Sequence, residues 1–164
     1  MYRKYIDTLY AEIRKVPLLK SKKYTYTCMG FLLWPPVIEK ITGIIAEGQI
    51  NIRAVTISDA GDYGIIKLLV DNPERGFELL KSENIAVNLK EIIAVKIEDK
   101  IGGLHEISKV LRENNINVND SYGFITEPKK EAVFIFQVAD PIHAENILKK
   151  EGFSLLSDRE LYLI

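Results

Sequence analysis

The chain repeats itself. Residues 41–54 read ITGIIAEGQINIRA and residues 107–120 read ISKVLRENNINVND, at an offset of 66. Ile41 matches Ile107, Ile45 matches Leu111, Glu47 matches Glu113, and Ile50, Asn51 and Ile52 match Ile116, Asn117 and Val118. Further on the offset becomes 68: Val70 matches Val138, Pro73 matches Pro141, and Leu80 matches Leu148. The slip falls where ITEPKKE is longer than its counterpart around DAGD, and insertions belong in turns. A duplicated unit bounds the fold more tightly than any local motif.

Each copy reads in the same order. A short apolar strand comes first, at residues 29–33 and 94–97. A helix follows, with Ile38, Ile41 and Ile45 on one face of the first copy and Leu104, Ile107 and Leu111 on one face of the second. Gly48 ends the first helix and Asn114-Asn115 the second, residue types that tolerate left-handed geometry. Two strands then span residues 50–58 and 63–70, and again 117–126 and 131–138. A second helix opens on Pro73 or Pro141, capped by Asn72 or Asp140. A last strand falls near residues 85–88 and 153–156.

The order β-α-β-β-α-β, twice, defines an α+β class: two ferredoxin-like units, each an antiparallel sheet with its helices on one face. Residues 23–92 form the first unit and 93–164 the second. With no Gly/Ser linker between them, the units are expected to pack together. Phe134 and Phe136 alternate onto the face under the helices. Ser157, with Glu160 three residues on, reads as a capped turn in the tail. Upstream, residues 1–22 form an extension with Tyr2, Ile6, Leu9, Tyr10, Ile13 and Val16 at helical spacing.

Composition narrows the function. With 22 basic and 23 acidic residues among 164, the chain lacks the bulk positive charge of a general nucleic-acid binder. One cysteine, Cys28, cannot form an internal disulfide, and two histidines, His105 and His143, have no metal-ligand spacing. No apolar run has membrane-span length, and the charged start is no signal peptide, so the expectation is a cytoplasmic protein without membrane, nucleic acid, metal or cofactor.

The turn Asp99-Lys100-Ile101-Gly102-Gly103-Leu104 is the most informative place for a site. Two glycines let backbone approach a ligand, and the helix that follows offers N–H groups suited to a carboxylate. Asp99 can accept from an ammonium group, and Asn117 carries both a donor and an acceptor. Together these fit a free α-amino acid; equally, the glycines fit a plain tight turn and Asn117 a strand entry. His105 beside Glu106 lacks an orienting third group, so no catalytic set emerges.

The segments INIRAVTISDAGDYGIIKLLVDNPERG and DKIGGLHEISKVLRENNINVNDSYGF resemble tandem ACT domains. That family's pattern is a strand, an Asn/Asp-x-Pro-Gly-x-Leu loop, an amphipathic helix, and Gly-hydrophobic-Asn-Ile at the second strand. The tail LLSDRELY, residues 155–162, is similar to that of small stand-alone pairs of such domains. The likeness covers roughly residues 35–164. It implies a regulatory protein that binds a small ligand, usually an amino acid, without catalysis and often where domains pair. Ligand contacts would come from Asp99, Ile101, Gly102, Gly103, Leu104 and Asn117 in the second copy and Asn51 in the first. A homodimer is the expected assembly, and a regulatory subunit of a separate metabolic enzyme, or an interaction module without ligand, is the rival reading. The first copy departs from the pattern, with Leu33 at the loop Asn/Asp and Pro36 at the loop glycine. The second has Ile101 in place of the proline but keeps its glycines, so it is expected to hold the better site.

Overall fold

Strand, helix, two strands, helix, strand occurs twice in the computed structural model, which describes residues 24–30, 35–59 and 64–164. In the first unit these are β1 (Tyr24–Gly30), α1 (Pro35–Glu47), β2 (Ile52–Asp59), β3 (Gly64–Val70), α2 (Pro73–Ser82) and β4 (Ala86–Glu91). In the second they are β5 (Ile93–Glu98), α3 (Gly103–Glu113), β6 (Val118–Glu127), β7 (Glu131–Val138), α4 (Pro141–Lys150) and β8 (Ser154–Leu155), followed by α5 (Asp158–Leu163). Two antiparallel sheets result, ordered β2-β3-β1-β4 and β6-β7-β5-β8. The helix expected over residues 2–16 lies outside the described residues.

The repeat extends to fine geometry. Ile52 pairs with Val70 and Ala54 with Leu69, leaving a bulge at Arg53; Val118 pairs with Val138 and Asp120 with Gln137, leaving the same bulge at Asn119. A bulge adds one residue and turns the following side chains to the opposite face. Left-handed residues recur too, at Gln49 (φ 58°) and Asn115 (φ 56°), and at Asn84 (φ 56°) and Gly152 (φ 86°). Asn72 accepts from the N–H of Arg75 at 3.2 Å and Asp140 from that of His143 at 3.0 Å, each cap contributing about 1 kcal/mol.

One boundary and one detail differ from the sequence reading. The first strand begins at Tyr24, because the Tyr/Thr alternation of residues 24–27 suits a sheet and pairs with both β3 and β4. At the end of α1 the left-handed residue is Gln49. Gly48 directly follows the helix, as its sequence position predicts, and Leu79 Cδ1 of α2 occupies the space that a Cβ there would take, 2.3 Å away.

Helices cover one face of each sheet. Ile41, Ile45 and Leu80 bury Ile66, Leu68, Val70 and Val87; Ile107, Leu111, Ala144 and Leu148 bury Ile93, Val95, Phe136 and Val138, with Phe134 packed alongside. The other two faces meet each other. Leu69 of β3 packs with Ile92, Ala94, Val133, Ile135, Leu156 and Leu161, flanked by Ala54, Tyr122 and Phe124. Each such burial is worth roughly 1.5–3 kcal/mol. The layers therefore run helices, sheet, sheet, helices. Only Ile92 separates β4 from β5, so the chain steps from one sheet to the other without slack.

Polar contacts fix how the sheets meet. Lys67 Nζ on β3 reaches Asp120 Oδ1 on β6 at 2.7 Å, both side chains mostly covered. α5 closes the shared layer. Its capping box joins Ser157 and Glu160 in both directions, Leu161 is fully buried, and Arg53 Nη1 donates to the Ile164 carbonyl at 2.6 Å. A cation left beside apolar neighbours loses more than the pair gains. Asp120→Ala is expected to lower stability by about 1–3 kcal/mol in urea denaturation, and Lys67→Met combined with Asp120→Leu to recover most of that loss.

Candidate functional site

The helix-side face of the second sheet is wider than its helices. α3 and α4 cover Ile93, Val95, Phe136 and Val138, yet the floor continues toward the loop end of β5 and β7. There Ile97, Ala132 and Phe134 form the base of a cleft of about 450 Å³. Its walls are Glu98, Asp99, Lys100, Gly102 and Gly103 of the loop and Leu104, His105 and Ser108 of α3.

The loop needs both glycines, for different reasons. Gly102 is the N-cap of α3 at φ 90° and supplies no side-chain cap. Left-handed geometry disfavours a side chain there, although space is open. Gly103 is buried, and a Cβ would sit 3.0 Å from the Glu98 carbonyl and 3.1 Å from Ile97 Cδ1. The first turn of α3 therefore lies directly on the end of β5, and the partial positive charge of a helix start falls at the cleft, with the Gly103 N–H donating to the Lys100 carbonyl at 3.2 Å.

Charged pairs gather at this end of the sheet, and of their side chains Glu98 and Lys100 line the cleft itself. Lys100 lies 3.1 Å from Glu98 and 3.5 Å from Glu106, whose carboxylates hold its ammonium above the ordinary lysine value, the bond to Glu98 first. Lys96 contacts Glu131 at 2.8 Å, and Thr126 donates to the same carboxylate at 2.9 Å. The Lys96 bond first, and the Thr126 bond second, lower the Glu131 pKa. Lys130 pairs with Glu127 across the adjoining turn.

The chain gathers some of the expected site residues and separates others. Asp99, Gly102, Gly103 and Leu104 share the cleft. One Asp99 oxygen is already used: Oδ2 accepts from the N–H of Lys129 at 2.7 Å and ties the loop to the β6–β7 turn. Ile101 projects fully into solvent outside the cleft. Asn117 stands at the far end of the sheet. The loop end is marked by the Glu98–Glu131 and Ile125–Ala132 pairs, the other end by Ile93–Phe136 and Val118–Val138. Seven strand residues, roughly 20 Å, lie between. Asn117 Nδ2 donates to Asn119 there at 3.1 Å. Asn51 occupies the corresponding end of the first unit, where its N–H donates to Asp71 at 3.0 Å.

Ile97, Ala132 and Phe134 were missed in the sequence reading of the site. The period-two alternation of β5 and β7 places them under the helices, but not past the helices' edge. His105 and Ser108, three residues apart on the cleft wall, do not form a nucleophile and base: the Ser108 hydroxyl donates to the Leu104 carbonyl at 2.8 Å. Among the described residues no cluster of three His, Cys, Asp or Glu side chains is set to hold a metal. No helix among them is long and apolar enough to cross a membrane. In the first unit Pro35 and Pro36 are the opening residues of α1, so no glycine stands where Gly102 does.

Two tandem ferredoxin-like units with a glycine-built turn before the first helix of the second define a class of regulatory fold. The chain belongs to the ACT domain pair family, whose model matches residues 36–164. A solved protein from Bacteroides thetaiotaomicron superposes with a TM-score of 0.79 at 19% identity, covering 88% of this chain and 98% of that one. The ligand-free regulatory subunit of aspartate kinase from Thermus thermophilus gives 0.57 at 14% identity, covering 82% and 95%. That from Thermus flavus gives 0.55 at 12%, covering 80% and 93%. At these identities the likeness is one of fold. No curated protein matches the sequence.

Gly102→Ala is expected to cost about 1–2 kcal/mol in chemical denaturation, since a Cβ meets no atom there and the left-handed backbone alone sets the penalty. Glu131 has a folded pKa below its unfolded one. Its contribution is present above the usual carboxylate range and is lost as pH falls through the lowered folded value. Glu131→Gln should therefore flatten part of the acid limb of a stability–pH curve and lower the neutral-to-basic region evenly, without changing its slope.

Proposed function

We propose that this chain is a regulatory protein that binds a free amino acid at the first turn of α3 and performs no reaction on it. The observation that carries this reading is a helix start capped by a left-handed glycine, without a side-chain cap, opening on a cleft of about 450 Å³. A carboxylate suits the helix start. An ammonium group suits the remaining oxygen of Asp99 and the carboxylate of Glu98 at the rim. The Ser108 hydroxyl, held by its own helix, leaves no activated nucleophile in the cleft.

The site is completed by a second copy. β6 is an edge strand ten residues long, and from Ser121 to Thr126 it carries no charge and no proline to block pairing. Ile125, 58% exposed, and Leu104, 42% exposed, extend the apolar edge. Antiparallel pairing of β6 with its twin about a twofold axis sets one copy's strand start against the other's strand end. Asn117 of the partner subunit then arrives at the mouth of the cleft, the place a single chain leaves without it. Solvent location in the cytoplasm accords with this role.

A second reading has its own support. Val55 and Ile57, 53% and 45% exposed, give β2 an apolar edge in the unit whose turn lacks glycine. That edge fits a separate metabolic enzyme, with this chain as its regulatory subunit, as in the aspartate kinase assemblies that share the fold.

Calorimetry and thermal-shift measurements against the twenty amino acids test the first reading. At least one should bind and raise the melting temperature by mass action. Ile125→Lys should convert the dimer to monomer in sedimentation and weaken binding at least tenfold, and Asn117→Ala should weaken binding without changing the sedimentation. An absence of binding across the panel, with a tight enzyme complex through Val55 and Ile57, would establish the second reading instead.

A further inference from the structure

The floor of the second unit's cleft is built around a facing pair of residues that differs between the repeats. Gly123 on β6 pairs with Phe134 on β7; at the equivalent register of the first unit Ile57 pairs with Ile66. In the second unit a glycine and a phenylalanine face each other where the first unit has two isoleucines. A Cβ at Gly123 would lie 2.7 Å from Phe134 Cε1, 2.8 Å from Cδ1 and 2.9 Å from Cζ. The Phe134 ring therefore lies flat across the Gly123 backbone, a position that any side chain at 123 would deny it. Phe136 steadies it from the other direction, its ring centroid 6.3 Å away and its plane inclined by 25°.

A ring laid on the strand leaves the space above it open. Without Gly123 the ring would have to lift toward α3, into the cleft that Leu104, Ser108 and Ile97 share with it. The floor so formed is apolar throughout: Ile97, Ala132 and Phe134, with Leu104 on the wall. The charged groups stay at the rim, and they are engaged there, Asp99 with the Lys129 N–H and Lys100 with Glu98 and Glu106. A ligand whose carboxylate meets the first turn of α3 has its ammonium at this rim and its side chain on the floor. A charged side chain would leave water there without a partner, which is costly, whereas an aliphatic or aromatic one gains burial against the ring.

We propose that the ligand is an amino acid with an apolar side chain, and that Gly123 determines this specificity by allowing Phe134 to lie flat. The proposal rests on the amino-acid reading above. The test is isothermal calorimetry on the full chain with L-leucine, L-phenylalanine, L-aspartate, L-lysine and glycine, repeated on Gly123→Ala and Phe134→Leu. Leucine or phenylalanine is expected to bind at least tenfold more tightly than aspartate, lysine and glycine. Gly123→Ala should reduce that preferred affinity at least tenfold while changing that of glycine less than threefold. Phe134→Leu, which keeps an apolar floor without the ring, should weaken phenylalanine more than leucine and holds the test if Gly123→Ala does not fold. Affinities of apolar and charged amino acids within threefold of one another overturn this proposal and leave the amino-acid reading intact. No binding by any of the five, or by the other amino acids, overturns both.

Discussion

Leu69 on β3 and Val133 and Ile135 on β7 are buried on the faces that carry no helix, and this two-sided burial of the central strands governs the molecule. A ferredoxin-like sheet ordinarily hides one face under helices and needs polar residues on the other. Here the second face of the second sheet is apolar, and the first sheet covers it with Leu69 and Ala54, with Lys67 reaching across to Asp120. The Lys67–Asp120 pair and the closing helix α5 select one way of stacking among those that apolar contact alone would permit. With the middle of each sheet covered, what remains open among the described residues is the strand edges, the outer helix surfaces and the stretch of the second sheet that its helices leave bare. The candidate cleft lies where the ends of the two central strands and a helix start come together.

The two units share an architecture but not a chemistry. Caps, bulges and left-handed residues recur because the backbone requires them in either unit. The residues that shape a ligand site do not recur: Gly102 has a proline as its counterpart, and Gly123 with Phe134 has Ile57 with Ile66. The positions that set the backbone are thus kept, and those that shape the candidate cleft differ. The same pattern explains why the cleft is open in the second unit, where the loop glycines permit α3 to start directly on β5.

Much of this was legible in the sequence. Periods of 3.6 and 2 located the helices and strands, Asn72-Pro73 and Asp140-Pro141 marked two helix starts, and the slip from 66 to 68 placed an insertion in a hairpin. The structure confirms the slip by register, since β2 and β6 correspond at 66 while β3 and β7 correspond at 68. Gly48 marked the end of α1 correctly, but the left-handed residue is Gln49, and the contact of Gly48 with Leu79 on another helix is one that no local pattern reveals. The stacking of the sheets had a signal that was passed over: IIKLLV and AVFIFQV are apolar on both sides of the strand, the mark of strands covered twice. Asp99 and Asn117 were joined by chemistry rather than by position, and the antiparallel register sets them at opposite ends. The flat ring of Phe134 was beyond sequence reasoning, for it depends on which residue faces it across the hairpin.

The recurring bulges at Arg53 and Asn119 have an evolutionary side. Before each bulge a strand residue faces the helices; after it, the alternation is inverted, so Ala54 and Tyr122 turn toward the shared layer. Losing or gaining a single codon at either place would exchange inside for outside along an entire edge. Descendants of this duplicated gene can therefore drift widely in spelling, and can lengthen their hairpins, but between helix and edge strand they must keep count.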